Sequence, residues 1–295
     1  MKITYYKCRQ PNFGDELNPW MWPKLLPGFF DDDEKTLLIG IGSIIGDHYD
    51  PVAKKIVLGA GFVPHYFRQP DVHGNDWDIY FVRGPRTAKL LDLSPELALG
   101  DSAILLRTLV DYRKRTPDVI SFMPHWESMG NGYWEQVCRL AGINLIDPRR
   151  PVEEVIKELL RSKLVVTESM HGAIVADAFR IPWVPVFPID PENREKWFDW
   201  AESLKITLQP HTLWPSRITE AHCTARYRPR LGPFLKSLAT SPFSTTIDKG
   251  MIYLAARKLA QLAKVAPTLS DDNIINGVTG KMQEKLQQLQ RDYTA

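Results

Sequence analysis

The stretch LVVTESMHGAIVADAFRIPWVPVFPI, residues 164–189, carries the clearest signal of the fold class. "LVVTES" is a β-branched apolar run typical of a buried strand, and "MHGAIVADAFR" has the composition of a helix. "WVPVFPI" is a second strand-like run. A strand, a helix and a strand in this order predict two strands of a parallel sheet, because parallel neighbours need a crossover connection.

The rest of the chain repeats this alternation. Before the stretch come "VISFMPHW" as a strand, "GYWEQVCRLAG" as a helix closed by Gly142, "INLIDP" as a strand and "VEEVIKELLRS" as a helix. The first third of the chain contains five further strand-like runs, most of which break at glycine: ITYYKC, TLLIGIGS, KKIVLGAGF, WDIYFVRGPRTAKLL and LALGDSAILL. Short apolar runs without period-2 alternation favour parallel sheets that are covered on both faces.

The chain is long for a single core, since 295 residues compare with about 150 residues per domain. "VDYRKRTPD", residues 110–118, is charged, contains proline and lacks apolar periodicity, which is typical of a linker. We therefore predict an N-terminal α/β domain over 1–114 and a C-terminal α/β domain with a helical tail over 115–295. The predicted fold is α/β, with two parallel-sheet, Rossmann-like domains that face a cleft.

Composition limits the class of protein. The hydrophobic fraction of 44% suits a soluble globular protein, and the nine tryptophans and 23 prolines favour aromatic-lined surfaces and many loops. The three cysteines are far apart and lack metal-ligand spacing, so we expect neither disulfides nor a zinc site. No secretion signal or membrane-spanning run is visible, and we expect a cytoplasmic protein without a nucleic-acid partner.

Charge is unevenly distributed along the chain. The net charge is only +2, but residues 205–264 contain ten Lys or Arg and only Glu220 and Asp248 as acids. Arg226, Arg228 and Arg230 alternate within this basic stretch. Such a stretch is either a solvated basic face or a surface that contacts anionic partners.

"TESMHG" places polar residues directly after a predicted strand. Ser169 is a candidate N-cap, which puts Met170, His171 and Gly172 in the first turn of the helix. Free backbone N–H groups and the helix dipole favour an anion at this point. The structural alternative is that His171 caps or packs locally, and its position at a strand-to-helix turn favours a functional role.

"FVRGPRTAKLL" has the same arrangement in the first domain. Arg83 ends a predicted strand and Pro85 suits the first position of a helix, so Arg83 and Arg86 flank a helix N-terminus. Arginine binds phosphate and carboxylate groups with a two-pronged fork. Because a surface arginine is usually only solvated, we prefer Arg83, which lies at the strand end.

Further polar residues follow other predicted strands, where open parallel sheets bind their ligands. Asp101 and the His125–Glu127 pair are candidates for acid or base chemistry, although Asp101 also fits a turn cap and His125 a buried ring. "NFGDELN" follows the first strand, where Asp15 is a candidate helix cap and Gly14 supplies the turn. "GIGSIIG" and the two acidic runs, "DWD" and "DDDE", lack the context of a nucleotide or metal site.

Seven motifs occur in order between residue 3 and about residue 190: NFGDELN, GIGS, VLGAGF, FVRGPRTA, ALGDSAILL, FMPHWES and TESMHGAIVADAFRIPWVPV. As a set they resemble the polysaccharide pyruvyl transferase family, particularly its succinoglycan-type bacterial members. The resemblance implies a GT-B-like pair of α/β domains. It also implies transfer of pyruvate from phosphoenolpyruvate onto two hydroxyls of a sugar in a surface or exopolysaccharide precursor, which forms a ketal and releases phosphate.

The resemblance implies roles for the candidate residues. His171 would act as the acid or base, with Asp101 or His125 as a second group, and the scheme requires no metal or cofactor beyond phosphoenolpyruvate as donor. The predicted site residues are His171, Asp101 and His125 for catalysis; Arg83, Arg86, Ser169, Met170 and Gly172 for phosphoenolpyruvate; and Asn12, Gly14, Asp15 and Glu127 for the acceptor.

Two alternatives remain open from the sequence: a GT-B glycosyltransferase that uses a nucleotide sugar, and a non-catalytic glycan-binding protein. The resemblance further implies a sugar or lipid-linked oligosaccharide as acceptor. For such an acceptor we expect the basic stretch at 205–264 to contact an anionic membrane, with the protein peripheral at the inner face of the cell membrane.

Overall fold

The computed structural model describes residues 1–7, 9–31, 33–188, 193–225 and 230–294. The chain forms two compact units. The first unit contains Met1–Lys114, Glu195–Leu208 and Ser270–Ala295. The second contains Arg115–Arg194 and Gln209–Leu269.

The described residues form eight strands: β1 Lys2–Thr4, β2 Thr36–Ile39, β3 Lys54–Leu58, β4 Trp77–Phe81, β5 Val119–Met123, β6 Asn144–Leu145, β7 Ser162–Thr167 and β8 Trp183–Pro185. They also form eleven α-helices: α1 Phe13–Leu25, α2 Pro85–Leu90, α3 Trp126–Asn131, α4 Trp134–Ala141, α5 Val152–Leu160, α6 Met170–Ala178, α7 Glu195–Ser203, α8 Ile218–Ala225, α9 Leu231–Ala239, α10 Ser244–Leu262 and α11 Asp272–Thr294.

The sheet of the first unit has the order β1-β2-β3-β4, and all its strands are parallel. The last residues of β2 and β3 are buried, as expected for strands covered on both faces. Around them, Ile39, Val57 and Val82 pack in one hydrophobic cluster. The sheet confirms the prediction of a parallel α/β unit in this part of the chain.

One expected strand of the first unit is absent. "LALGDSAILL" does not form a strand in the structure: a 3₁₀ helix covers Ser102–Thr108, and Asp101 is its N-cap. The segment before this helix bonds to the end of β4, where Val82 donates to the Leu97 carbonyl and Gly100 donates to the Val82 carbonyl. Ser102, at the start of the helix, donates through its hydroxyl to the Leu58 carbonyl of β3. Gly100 has φ +143°, a conformation that turns the chain away and that favours glycine.

The sheet of the second unit has the order β6-β5-β7-β8, again with parallel strands. The core on one side contains Phe122 and Trp134, whose rings lie 5.0 Å apart, and it is completed by Leu259 of α10. Gly142 ends α4 in the left-handed conformation with φ 65°, which confirms the predicted helix end.

The observed units differ from the expected domains in one respect. The opening segment of the first unit ends at Lys114, where the sequence analysis divides the chain. The second expected domain, 115–295, is not a single unit, because α7 and α11 belong to the first unit. Hydrogen bonds from Tyr80 to Asp292 (2.7 Å) and from Tyr293 to Asp78 (2.5 Å) attach α11 to β4.

None of the helices in the described ranges is both long enough and apolar enough to cross a membrane.

Candidate active site

The first turn of α6 lies at the carboxyl ends of β5 and β7. Ser169 is the N-cap of α6, as predicted, and its Oγ accepts a hydrogen bond from the Gly172 amide at 3.4 Å. A Cβ atom at Gly172 would lie 2.6 Å from Thr167 Oγ1 and 2.7 Å from Met123 Sδ. Glycine at this position therefore allows α6 to begin directly against both strand ends.

His171 is the second residue of α6 and is only 9% exposed. Met170 beside it is 4% exposed, so the first turn presents its side chains to the protein interior more than to solvent. The predicted placement of His171 in the first turn of the helix is correct. Its side chain is more deeply buried than we expect for a residue at a strand-to-helix turn on the protein surface.

Glu168 joins the ends of β5 and β7 and was missed by sequence reasoning. Its side chain is buried, Oε2 accepts a hydrogen bond from the His125 amide at 2.9 Å, and Oε1 accepts one from Ser128 Oγ at 2.8 Å. The carboxylate thereby fixes the turn that carries His125. The signal in the sequence was a carboxylate directly after a predicted strand, in the same "TESMHG" motif.

His125 is the N-cap residue of the short helix α3. Its side chain is 13% exposed, and Nδ1 lies 3.4 Å from Oε2 of Glu127, which is itself 41% exposed. The structure thus brings His125 and Glu127 together, and places both beside the strand end that carries Glu168.

Glu220 is a second buried carboxyl group in the same unit. Trp134 Nε1 donates to its Oε1 at 2.8 Å, while the Ser216 amide and hydroxyl donate to its Oε2 at 2.6 Å and 2.8 Å. Burial and repulsion from Glu168 raise the pKa of Glu220 to about 8, although these three donors oppose the shift. Sequence reasoning counted Glu220 only as a charge, because its partners lie as far as 86 residues away.

Arg83 is buried in the first unit, and two of its nitrogens donate hydrogen bonds to other protein side chains. Nε donates to Asp199 Oδ2 at 3.0 Å, and Nη1 donates to Ser43 Oγ at 2.5 Å. The guanidinium also lies against Gly61, where a Cβ would be 2.1 Å from Cζ. The expectation that Arg83 offers a free fork to a ligand is therefore corrected: the anion that it binds is Asp199 of α7.

The N-terminus of α2 is also occupied by Asp199. Asp199 Oδ1 accepts hydrogen bonds from the amides of Arg86 and Thr87, both at 3.0 Å, and Oδ2 accepts one from Thr87 Oγ1 at 2.6 Å. Pro85 is the first residue of this helix, as predicted. The sequence thus correctly indicated an anion at this helix, but the anion is a side chain that follows more than 110 residues later.

Arg86 does not offer a free guanidinium either. Nη1 lies 2.7 Å from Glu195 Oε2, Nη2 lies 2.6 Å from Glu202 Oε1, and Cζ stacks 5.0 Å from the Phe198 ring centre. All three partners belong to α7. Arg86 therefore attaches α7 to α2, and its role in binding phosphoenolpyruvate stays a prediction.

The "NFGDELN" motif forms the start of α1. The helix begins at Phe13, so Asn12 is the N-cap and the expectation that Asp15 caps the helix is wrong. Asn12 Nδ2 donates instead to Asp15 Oδ2 at 2.8 Å, and Gly14 is buried in the first turn. Both polar side chains are partly exposed at the carboxyl edge of the first sheet.

Asn18, in the same motif, holds the adjacent loop and was also missed. Its Nδ2 donates to the Ile41 carbonyl at 3.0 Å, and its Oδ1 accepts from the Ile41 amide at 2.9 Å. Gly42 follows with φ +122°, and a Cβ there would lie 3.9 Å from Asp15 Oδ1. The "NFGDELN" and "GIGS" motifs therefore meet at the ends of β1 and β2.

Asp101 has the capping role that the sequence left open. It is completely buried, and its Oδ1 accepts a hydrogen bond from the Ala103 amide at 2.9 Å. Among the residues that the structure describes, no group of three or more His, Cys, Asp or Glu is placed to hold a metal ion.

Comparison with known proteins identifies the family. The family model described as polysaccharide pyruvyl transferase matches residues 12–190, which include the motifs at the strand ends of both units. The chain is also 36% identical, over an alignment of 317 residues, to the succinoglycan biosynthesis protein ExoV of Rhizobium meliloti (strain 1021). That alignment covers 99% of this chain and 100% of the relative. No solved structure matches the chain. The chain therefore belongs to the polysaccharide pyruvyl transferase family and is an enzyme of that kind.

Proposed function

We propose that this enzyme transfers pyruvate from phosphoenolpyruvate onto two hydroxyls of a sugar, with release of phosphate. The observation that carries the proposal is the family match over residues 12–190. The relative named for succinoglycan biosynthesis supports an acceptor in an exopolysaccharide precursor. Because the family consists of transferases, it favours this function over a non-catalytic glycan-binding protein.

The reaction needs one proton donor and at least one proton acceptor. Protonation of the methylene carbon of phosphoenolpyruvate gives an oxocarbenium-like centre at the neighbouring carbon. A sugar hydroxyl bonds to that carbon, the carbon–oxygen bond to phosphate breaks, and a second hydroxyl closes the ketal. Two hydroxyl protons are released, one proton enters the new methyl group and the other leaves with phosphate.

His171 and His125 are the groups to which we assign these proton transfers. Both lie in the second unit at the carboxyl ends of β5 and β7, and Glu168 fixes the turn that carries His125. Imidazole is suited to this work because its ordinary pKa is near neutrality. Asp101 is not assigned here, since it is buried as a helix cap.

The donor site in this proposal is the first turn of α6. The helix dipole at this turn favours the anionic groups of phosphoenolpyruvate near Met170 and Gly172, and Ser169 caps the turn through the Gly172 amide. Arg83 serves instead to position the loop that carries Ser43, through their hydrogen bond of 2.5 Å. No metal ion or cofactor takes part in the scheme.

We assign the acceptor to the polar side chains at the start of α1. Asn12 and Asp15 are partly exposed there and offer amide and carboxylate groups to sugar hydroxyls, while Gly14 keeps the turn compact. Tyr5 directly follows β1. Burial raises the pKa of its phenol, and the nearby charges of Glu16 and Asp15 raise it further. Glu127 of the second unit stays a predicted acceptor residue, and a GT-B-like pair of α/β units is part of this proposal.

The proposal extends to a peripheral contact with an anionic membrane, which would present a lipid-linked acceptor. Arg226 and Arg228 lie outside the described residues, and Arg230 is exposed. Both acids of the basic stretch, Glu220 and Asp248, are buried, and Asp248 pairs with only one of its basic residues, Arg217, at 3.6 Å among the described residues. Two large apolar side chains, at Phe234 and Phe243, are 61% and 71% exposed on the same stretch.

A ligand-binding experiment separates the proposed function from its main alternative. Phosphoenolpyruvate should raise the melting temperature of the protein, since a ligand that binds only the folded state stabilises it. A matched mixture of pyruvate and phosphate controls for nonspecific anion effects. Stabilisation by nucleotide sugars, with none by phosphoenolpyruvate, would favour a glycosyltransferase instead.

A further inference from the structure

A polar cavity of about 410 Å³ lies in the first unit, away from the motifs described above. It is formed by the end of the 3₁₀ helix Ser102–Thr108, the following turn and one face of α11. Its volume falls within the range of about 300–1,000 Å³ that is usual for small-molecule sites. None of the residues to which we assign pyruvyl transfer lines it.

Two guanidinium groups flank a single phenol in this cavity. Arg107 Nη2 donates to the Tyr112 hydroxyl at 2.9 Å, and the Cζ atoms of Arg107 and Arg113 lie 5.6 Å and 5.9 Å from the Tyr112 ring centre. Burial alone would raise the pKa of Tyr112, but the hydrogen bond from Arg107 and the two positive charges outweigh it and lower that pKa. The cavity is therefore electropositive at Tyr112.

Carboxylates offset this positive charge only in part, through Asp111, whose pKa is lowered first by Lys114 and also by Arg113. Within the described residues, neither Arg107 nor Arg113 forms an ion pair, in contrast to Arg83 and Arg86. The one acid that lines the cavity, Asp111, is paired with Lys114 at 2.8 Å. Arg107 donates to two neutral hydroxyls, Tyr112 at 2.9 Å and Thr279 Oγ1 at 3.2 Å, and Arg113 is exposed. Their charges can therefore attract an anion, and arginine forks match phosphate well.

Gly280 opens the wall of the cavity that α11 provides. A glycine inside a helix is unfavourable by roughly 0.8–1.0 kcal/mol relative to alanine. Close packing does not explain it here, because a Cβ at Gly280 would meet no atom within 4 Å. The missing side chain leaves room in the cavity, and Asn276 and Gln283 present amide groups on the same helix.

We propose that this cavity binds a sugar phosphate. The two guanidinium groups would hold the phosphate, and the amides of Asn276 and Gln283, with the hydroxyl of Thr108, would bind sugar hydroxyls. The site is separate from the groups assigned to pyruvyl transfer. Its ligand binding is measured without phosphoenolpyruvate, so it does not depend on the proposed function.

Isothermal titration calorimetry with glucose 1-phosphate tests the site directly. Glucose 1-phosphate should bind at least ten times more tightly than either inorganic phosphate or glucose alone. Arg107→Gln and Arg113→Gln should each weaken its binding at least tenfold. Arg68→Gln, which removes an exposed charge elsewhere in the same unit, should leave binding unchanged.

A pair of glycine variants tests the cavity without changing charge. Gly280→Leu should fill the cavity and weaken binding at least tenfold. Gly277→Leu is the matched control, because Gly277 lies on the same helix, a Cβ there also meets nothing within 4 Å, and it does not line the cavity. Leucine has a higher helix propensity than glycine, so both variants should melt no lower than the wild type.

Three results would overturn the proposal. One is the absence of glucose 1-phosphate binding to the wild type. Another is equal binding by the wild type and by Arg107→Gln, Arg113→Gln or Gly280→Leu. The third is equal affinity for inorganic phosphate and glucose 1-phosphate, which would remove the sugar from the assignment.

Discussion

Arg83 shows how an arginine that looks suited to a ligand can be used inside the protein. Its guanidinium bonds Asp199 and Ser43, and both members of the Arg83–Asp199 ion pair are almost completely buried. A lysine keeps the charge but cannot make both contacts. Arg83→Lys should therefore lower the free energy of unfolding by about 1–3 kcal/mol, measured by urea denaturation.

A double-mutant cycle identifies the partner. The losses caused by Arg83→Lys and Asp199→Asn should not add in the double variant, because the two residues share one interaction. If Arg83→Lys leaves stability unchanged and raises KM for phosphoenolpyruvate, then Arg83 belongs to the donor site and our correction is mistaken.

His171 is the residue on which the proposed chemistry depends most. His171→Asn retains a polar side chain at a mostly buried position but cannot transfer a proton near neutral pH. We expect turnover to fall by about 100- to 10,000-fold, the usual cost of removing a general acid or base. Far-ultraviolet circular dichroism should show a folded protein, and near-wild-type turnover would exclude His171 from catalysis.

Residue positions were predictable where the signal is local. Ser169 as N-cap and Gly142 as helix end follow from their immediate neighbours. The partners of Arg83 and Glu220 were not predictable, because 116 residues separate Arg83 from Asp199 and 86 separate Trp134 from Glu220. A single sequence carries no signal that two such distant residues are in contact.

At the scale of elements, runs of apolar residues predicted most strands correctly. The prediction of a strand in "LALGDSAILL" was wrong. Short apolar runs do not distinguish a strand from a 3₁₀ helix, since either can bury several consecutive residues, as the 3₁₀ helix does over 102–106. The deciding features are Gly100 with φ +143° and the Asp101 cap, which together begin a helix. The eight other strand-like runs quoted above each contain a strand of the structure.

The buried Glu220 of α8 gives a pH dependence. Folded Glu220 has a pKa of about 8, above the ordinary 4.5, so it retains a proton that the unfolded chain releases. The stability that this group contributes is complete below about pH 4.5 and is lost as pH rises through 8. The free energy of unfolding should therefore decrease over this interval.

Glu220→Gln isolates that effect. The amide keeps the acceptor oxygen for Trp134 but does not titrate, so the decrease in stability with rising pH should be smaller in the variant. Urea unfolding at several pH values between about 5 and 9 measures both proteins. Identical pH dependence in the two proteins would show that Glu220 is ionised in the folded state.

At the scale of the whole molecule, the division into units was only partly predictable. The break after Lys114 coincides with a charged, proline-containing segment. The return of α7 and α11 to the first unit depends on ion pairs and hydrogen bonds with residues far earlier in the chain, such as Arg86 with Glu195. No change in composition marks these returns.

Membrane contact is a property of the basic stretch as a whole. Each basic residue near an anionic surface contributes about 1 kcal/mol. Replacing Arg226, Arg228 and Arg230 by Ser should therefore reduce sedimentation with anionic liposomes, and wild-type binding should weaken as salt increases.

The control replaces the exposed Arg9, Arg68 and Lys89 of the first unit by Ser, which removes the same charge elsewhere. This variant should still sediment with anionic liposomes. Equal recovery with neutral and anionic liposomes, or no recovery with either, would remove membrane contact from the account.

Analysis of the reaction product shows whether the enzyme transfers pyruvate from phosphoenolpyruvate. The enzyme is incubated with phosphoenolpyruvate and a succinoglycan oligosaccharide that lacks pyruvate, with the Rhizobium meliloti relative assayed in parallel. Mass spectrometry should show the acceptor heavier by one pyruvate less one water, with one phosphate released per ketal. If the relative modifies the acceptor and this enzyme forms no ketal, or transfers a sugar from a nucleotide sugar instead, the account is contradicted.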